Sequence, residues 1–352
     1  MKVAIILFNL GGPDSLEAVR PFLFNLFNDK AIISAPQPVR WLLAHLISRK
    51  RTPVAKDIYQ QIGGKSPLLE LTRKQASALQ EALSSSETLL VKTFVAMRYW
   101  HPMSDETAGD VKKFDPDRII LLPLYPQFST ATTQSSMDDW MRAQKRAGIS
   151  ARAVSICCYP DNPGFIKAQA DLIRNALQQT TSGVRLLFSA HGLPKKIIDA
   201  GDPYQIQVER TAAALMQQPG LAGYDFSICY QSRVGPLEWI RPSLDDELQR
   251  AAEDGTGVAV IPLAFVSEHS ETLVELDIEY RSMAEDLNLP AYIRVPTVAE
   301  HPDFISGLKE LALKAINAVK TGDKHTELEI TSGTGNKDCP GLFGKCPLAS
   351  DV

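Results

Sequence analysis

Long hydrophobic runs are missing from this chain: no stretch of about eighteen uncharged apolar residues occurs, the length a bilayer demands of a spanning helix. The first apolar stretch, Val3 to Leu10, is too short for a secretory leader and lacks its cleavage site. The expected location is the cytoplasm. Charge of one sign is also lacking, since the formal net charge is only −4 with 22% charged residues, so no nucleic-acid partner is expected. Cysteine is scarce, and its count of five (Cys157, Cys158, Cys229, Cys339, Cys346) is odd, which argues against a disulfide framework. Neither a Walker loop nor G-x-G-x-x-G occurs, which argues against a nucleotide enzyme.

Several short apolar runs are present, each ending in a Gly/Pro/Ser loop and followed by a helical pattern. They are Val3–Leu10 before GGP, Ile119–Leu122 before PLYP, Val184–Ser189 before AHGLP and Val258–Ile261 before PLAF. Unbroken hydrophobicity marks strands buried on both faces, and strands alternating with helices imply parallel sheets. The fold class is α/β. At 352 residues the chain exceeds the usual span of one core, so two lobes are expected with the active-site cleft between them. The strand ends pair as L-G-G-P with H-G-L-P and L-P-L with I-P-L, a hint of two Rossmann-like halves, although shared turn chemistry gives the same likeness. The expected division is 1–150, 151–320, with the final helix packing back on the first lobe as an option, and a polar tail over 321–352.

Ligands of parallel α/β sheets gather beyond the carboxyl ends of the strands. His191 follows such an end, where an imidazole can take a proton or bind a metal; a hydrogen-bonded structural histidine fits the position equally. A helical segment follows Phe265, with Ser267 as a plausible N-cap, and the spacing of Glu268, Glu271, Glu275 and Glu279 puts four carboxylates on one face beside His269. Such a row is either an ordinary acidic surface or a conduit for metal ions or protons. Trp239, between two prolines, can offer a face to a flat ligand or serve the core. Arg49-Lys50-Arg51 and Gly63-Gly64-Lys65-Ser66-Pro67 suit carboxylates. Residues 21–47 are rich in large apolar side chains, which reads as a lip for membrane or hydrophobic substrate, or as a core helix with a surface turn.

Seven ordered blocks then tie these pieces together: FNLGGP (8–13), KRTP with IGGKSP (50–53, 62–67), MRYWHP (97–102), LPLYPQFSTATT (122–133), LLFSAHGLP (186–194), CYQSRVGPLEWIRP (229–242) and PLAFVSEHSETLVELDIEY (262–280). In these blocks the sequence closely resembles the protoporphyrin ferrochelatases, from Val3 to about Ala318. The resemblance implies insertion of Fe²⁺ into protoporphyrin IX, with His191 as proton acceptor or metal ligand and Glu271 as its partner across the ring. It implies an acidic path through Glu268, His269, Glu275 and Glu279. It implies porphyrin contacts from Leu10, Arg51, Ser66, Arg98, Tyr99, Gln231, Ser232, Trp239 and Phe265, with Arg233 in the same loop. Leu10 stands where the coproporphyrin-using branch carries tyrosine, which favours protoporphyrin IX. Many members hold a [2Fe–2S] cluster near the C-terminus; Cys339, Cys346 and an internal Cys158 are the candidate ligands here, against free thiols on a loose tail. The apolar segment at 21–47 leaves peripheral membrane contact as an option, and the sequence fixes no oligomeric state.

Overall fold

A computed structural model describes residues 1–84, 89–178, 180, 183–232, 235, 237–318, 328–333 and 343–348. The chain forms two compact units, Met1–Cys158 with Leu308–Asn336, and Tyr159–Gly307 with Lys337–Val352.

The first unit is built on strands β1 (Lys2–Asn9), β2 (Leu90–Met97), β3 (Arg118–Pro123) and β4 (Arg152–Ile156), joined late in the chain by Leu328–Thr331. All pair in parallel, in the order β2-β1-β3-β4 followed by the late strand. Residues 3–8 of β1 are buried on both faces, as an uninterrupted apolar run requires of a central parallel strand. Helices cover the sheet; one face packs Ile6 and Phe8 against Trp140, Met137 and Val111. Because β4 pairs with β3, the first unit extends past residue 150 to Cys158. The expected tail also contributes structure: Leu328–Thr331 lies beside β4, and Lys345 donates its backbone N–H to the Gly201 carbonyl.

The apolar segment at 21–47 divides in two. The helix Val19–Phe27 buries Val19, Phe22 and Leu23, whereas the helix Gln37–Gln61 leaves Val39, Trp41, Leu42, Leu46 and Val54 exposed. Among the described residues no helix is long and apolar enough to cross a membrane.

The second unit contains β5 (Val184–His191), β6 (Phe226–Gln231), β7 (Gly257–Pro262) and β8 (Tyr292–Arg294), so the late strand of the first unit is β9. Their parallel order is β6-β5-β7-β8. Register sets His191 opposite Gln231 at the carboxyl ends of β5 and β6. After β7 the chain loops into a π-helix, Glu271–Glu279, which continues as the α-helix Tyr280–Asp286. Leu276 fills the core beneath it with Leu187, Leu248, Val258 and Val260.

Candidate active site

His191 ends β5, and its Nδ1 lies 2.9 Å from Glu271 Oε2 at the start of the π-helix. An ionised carboxylate only accepts, so Nδ1 carries the proton and Nε2 is left for a base or ligand role. The side chains keep 38% and 28% of their surface open, so the pair is reachable. Burial disfavours the imidazolium, but the Glu271 charge and hydrogen bond outweigh it and raise the His191 pKa above its ordinary 6.5. Burial likewise pushes Glu271 up, and the charge and hydrogen bond of His191, with help from His269, hold it well below its ordinary 4.5. Each partner therefore favours the charged form of the other. The expectation that Glu271 faces His191 across a porphyrin is corrected here: groups in hydrogen-bond contact leave no room for a ring between them.

The acidic row is also rearranged. The helix begins at Glu271 with Ser270 as its cap rather than Ser267, and its first turns are π-helical. Glu275 follows on the same segment, held by the Ser232 N–H at 2.8 Å, the Ser232 hydroxyl at 2.5 Å and the Gln231 amide at 3.1 Å. Ser232 adopts a φ of 64°, a left-handed conformation that aims its N–H at this carboxylate. Burial and the Glu271 charge raise the Glu275 pKa, against the opposing hydrogen bonds from Ser232 and Gln231. Glu279 is exposed. Glu268 precedes the helix and leaves the row: it accepts from Arg294 Nη1 at 2.6 Å and from the Thr297 N–H at 3.0 Å. Despite its burial, that partnership lowers its pKa. Arg294 also grips Asp277 through Nε and Nη2, which pins the middle of the π-helix to β8. His269 stacks against Phe265 with ring centroids 4.6 Å apart, and its Nε2 is 3.7 Å from Glu271 Oε2.

Trp239 lies against Gly192, the residue directly after His191. A Cβ added at Gly192 would sit 2.9 Å from the Gln231 carbonyl oxygen and 3.2 Å from the Trp239 ring, so the glycine after His191 is what admits the indole. Tyr204, which no sequence pattern marks, hydrogen-bonds the His191 backbone; burial, then the neighbouring Tyr230 and Glu271, raise its pKa well above 10.0. Ser189, Arg294 and Tyr204 were not legible as site residues because each works through a partner distant in sequence. Arg294, a lone cation closing an apolar strand, is the one faint signal.

Gln231 departs from its expected porphyrin contact. It is fully buried, its Oε1 accepts from Ser189, and both amide hydrogens are spent on the Glu271 carbonyl and the Glu275 carboxylate. Ser232 is likewise committed to Glu275.

In the first unit, Tyr99 is fully buried and donates its hydroxyl to Asp29 at 2.8 Å, so it presents no face to a ligand, contrary to expectation. Arg98 donates Nη2 to the same Asp29 oxygen and Nε to Ser135. Burial would raise Asp29, yet Arg98 and its hydrogen bonds lower it. Leu10 packs at the edge of the Val19, Phe22 and Tyr99 cluster. Ser66 donates its N–H to the Pro13 carbonyl, and a Cβ on Gly12 would lie 2.5 Å from its side chain, so the GGP and GGKSP turns meet. Arg51 is exposed and stands 5.8 Å from the Phe27 ring.

Cys158 is buried in the first unit beside Cys157, their sulfurs 3.3 Å apart, and Cys346 is buried in the second. Cys339 and Arg233 lie outside the described residues. Among the described residues the one group of three metal-competent side chains in close reach is Asp171, His301 and Asp303, which contains no cysteine.

The fold defines a class first. A structure of SirB from Bacillus subtilis with Fe³⁺ matches with a TM-score of 0.53 at 13% identity, covering 90% of this chain and 96% of that one. DR2241 from Deinococcus radiodurans, described as structurally similar to chelatases, matches at 0.50 and 12% identity over 91% of this chain and 56% of its own. The fold is thus one shared with these two structures. The sequence narrows it: a ferrochelatase family profile matches residues 2–316. The ferrochelatase of Caulobacter vibrioides strain NA1000 / CB15N is 50% identical over 351 residues, covering 98% of this chain and 97% of that protein. That of Wolbachia sp. subsp. Drosophila simulans strain wRi is 51% identical over 315 residues, 89% of this chain and 99% of that one. This chain belongs to the ferrochelatase family, and its reaction is iron insertion into a porphyrin in haem biosynthesis.

Proposed function

We propose that this enzyme inserts Fe²⁺ into protoporphyrin IX to give protohaem, and that His191, oriented by Glu271, removes the pyrrole protons. The supporting observation is the 2.9 Å contact between His191 Nδ1 and Glu271 Oε2. A free-base porphyrin carries two inner N–H groups; Fe²⁺ replaces both hydrogens, and two protons leave. The imidazole accepts each proton at Nε2, and the Glu271 carboxylate stabilises the imidazolium, as an orienting carboxylate does in other base pairs. From there Glu275, whose raised pKa suits a transient acceptor, and exposed Glu279 lead protons towards solvent. General base catalysis of this kind contributes ~10²–10⁴-fold.

Trp239 and Phe265 are the apolar surfaces of the second unit suited to a flat ring, and a ring held out of plane by such contacts would open its nitrogens to iron. The first unit by itself offers Arg51 and Ser66 as groups suited to propionates, with Leu10 as an apolar neighbour. The exposed Trp41, Leu42 and Leu46 of the helix Gln37–Gln61 suit peripheral contact with a membrane at the cytoplasmic face.

A second reading, favoured by the pairing of carboxylate with imidazole, makes His191 and Glu271 iron ligands. His191→Ala and Glu271→Gln, assayed anaerobically with Fe²⁺ and protoporphyrin IX, test the main reading. Both should lose insertion while porphyrin binding persists; near-normal turnover of His191→Ala would refute it. Equilibrium iron binding to porphyrin-free protein, weakened in both variants, would instead support the ligand role. No step passes through an iron–sulfur cluster. Iron and sulfide analysis of anaerobically purified protein tests whether Cys158, Cys339 and Cys346 carry one, and colourless, sulfide-free protein assigns them as thiols.

A further inference from the structure

Gln231 stands where three elements of the second unit converge. Its backbone closes β6 opposite His191 and accepts the Gly192 N–H at 2.9 Å. Its side chain reaches away from the strand: Oε1 accepts from the Ser189 hydroxyl of β5 at 2.7 Å, and Nε2 donates at 3.1 Å both to the Glu271 carbonyl and to Glu275 Oε2. The amide orientation is forced, because turning it over would set its oxygen against a carbonyl and a carboxylate. The amide is fully buried and both its hydrogens are used.

We propose that Gln231, set by Ser189, is a positioning residue that holds the first turn of the π-helix against β5 and so fixes Glu271 at its working distance from His191. The inference rests on the His191–Glu271 reading above and adds to it the strut that sets their separation. A π-helical turn closes through i→i+5 bonds and is rarely formed by a chain on its own, so contacts from outside the helix are needed to set where it starts. The strand pair β5–β6 supplies a rigid one, since Ser189 and Gln231 are both fully buried at adjacent strand ends. The amide touches the helix twice, at the main chain of Glu271 and at the side chain of Glu275, which fixes both the position and the rotation of the turn.

The test separates positioning from porphyrin binding. In Gln231→Leu, kcat should fall by about 10–100-fold, the usual cost of losing an outer partner that orients a working group. The apparent KM for Fe²⁺ and the porphyrin affinity, read by quenching of protein fluorescence, should both stay within about twofold, because the orientation of the base is lost and no substrate contact is removed. Ser189→Ala, which removes only the hydroxyl that orients the amide, should show the same pattern at smaller size, and it serves if Gln231→Leu fails to fold by circular dichroism. A large loss of porphyrin affinity would overturn the proposal and return Gln231 to the porphyrin site. Wild-type kinetics in both variants would overturn it as well. His191→Ala and Glu271→Gln are run alongside: if they remain active, the underlying reading has failed rather than the strut.

Discussion

At the scale of single residues, the account turns on one ion pair and its titration. The Glu271 charge holds the His191 pKa above 6.5, so Glu271→Gln should lower it, and NMR titration of the imidazole in protein free of metal and porphyrin reads the change directly. The stability linkage has a defined sign. A raised His191 pKa adds stability that is full below pH 6.5 and fades as pH climbs through the folded-state value. A lowered Glu271 pKa adds stability present above pH 4.5 and lost as pH falls through its own folded-state value. Thermal midpoints of His191→Ala should therefore fall furthest below wild type between these two values and converge at alkaline pH; a constant gap would contradict the pairing. In the first unit, Asp29 answers Arg98, Tyr99 and Ser135 at once. Asp29→Ala leaves Arg98 with only the longer carboxylate contact to Asp139, at 3.8 Å, and takes the acceptor from the buried Tyr99 hydroxyl, and should cost about 1–3 kcal/mol by urea denaturation.

At the scale of elements, close packing of helices sets the sharpest constraint. Gly164 lies under the helix Pro302–Ala318, and an added Cβ would come within 2.3 Å of the Asp303 carbonyl and 2.8 Å of the Gly307 Cα. Backbone cannot yield as a side chain can, so Gly164→Ala should destabilise by about 1–3 kcal/mol. Gly109, inside the helix Ser104–Phe114, has nothing near its missing Cβ, and Gly109→Ala should stabilise by about 0.5–1 kcal/mol. Calorimetry of the two variants checks both signs. The strands were legible because a central parallel strand must be apolar throughout: the runs beginning at Ile119, Val184 and Val258 lie within observed strands, and the run from Val3 does so as far as Asn9. The acidic helix was legible only in part. Sequence spacing assumes an α-helical turn and does not see that the turn is π-helical, nor that Arg294, twenty-odd residues on, takes Glu268 out of the row. The burial of Tyr99 and Gln231 was equally hidden, since a tyrosine or glutamine beside a functional loop reads as a contact until its hydrogen-bond partners are known.

At the scale of the whole molecule, the described residues form two parallel sheets of five and four strands, and the working pair sits at a strand end of the second. Ligand chemistry at carboxyl ends of parallel strands is what such a sheet supports, because the loops there are free to vary while the strands hold them. Family membership establishes iron and a porphyrin as substrates. Protoporphyrin as the particular ring and His191 as the base remain the specific claims under test. The most direct measurement is an anaerobic single-turnover reaction of wild type and His191→Ala with Fe²⁺ and protoporphyrin IX, followed by the conversion of free-base to haem absorbance. The account predicts haem formation by wild type and none by His191→Ala, although the variant still binds the porphyrin; haem formed by the variant at the wild-type rate would contradict it.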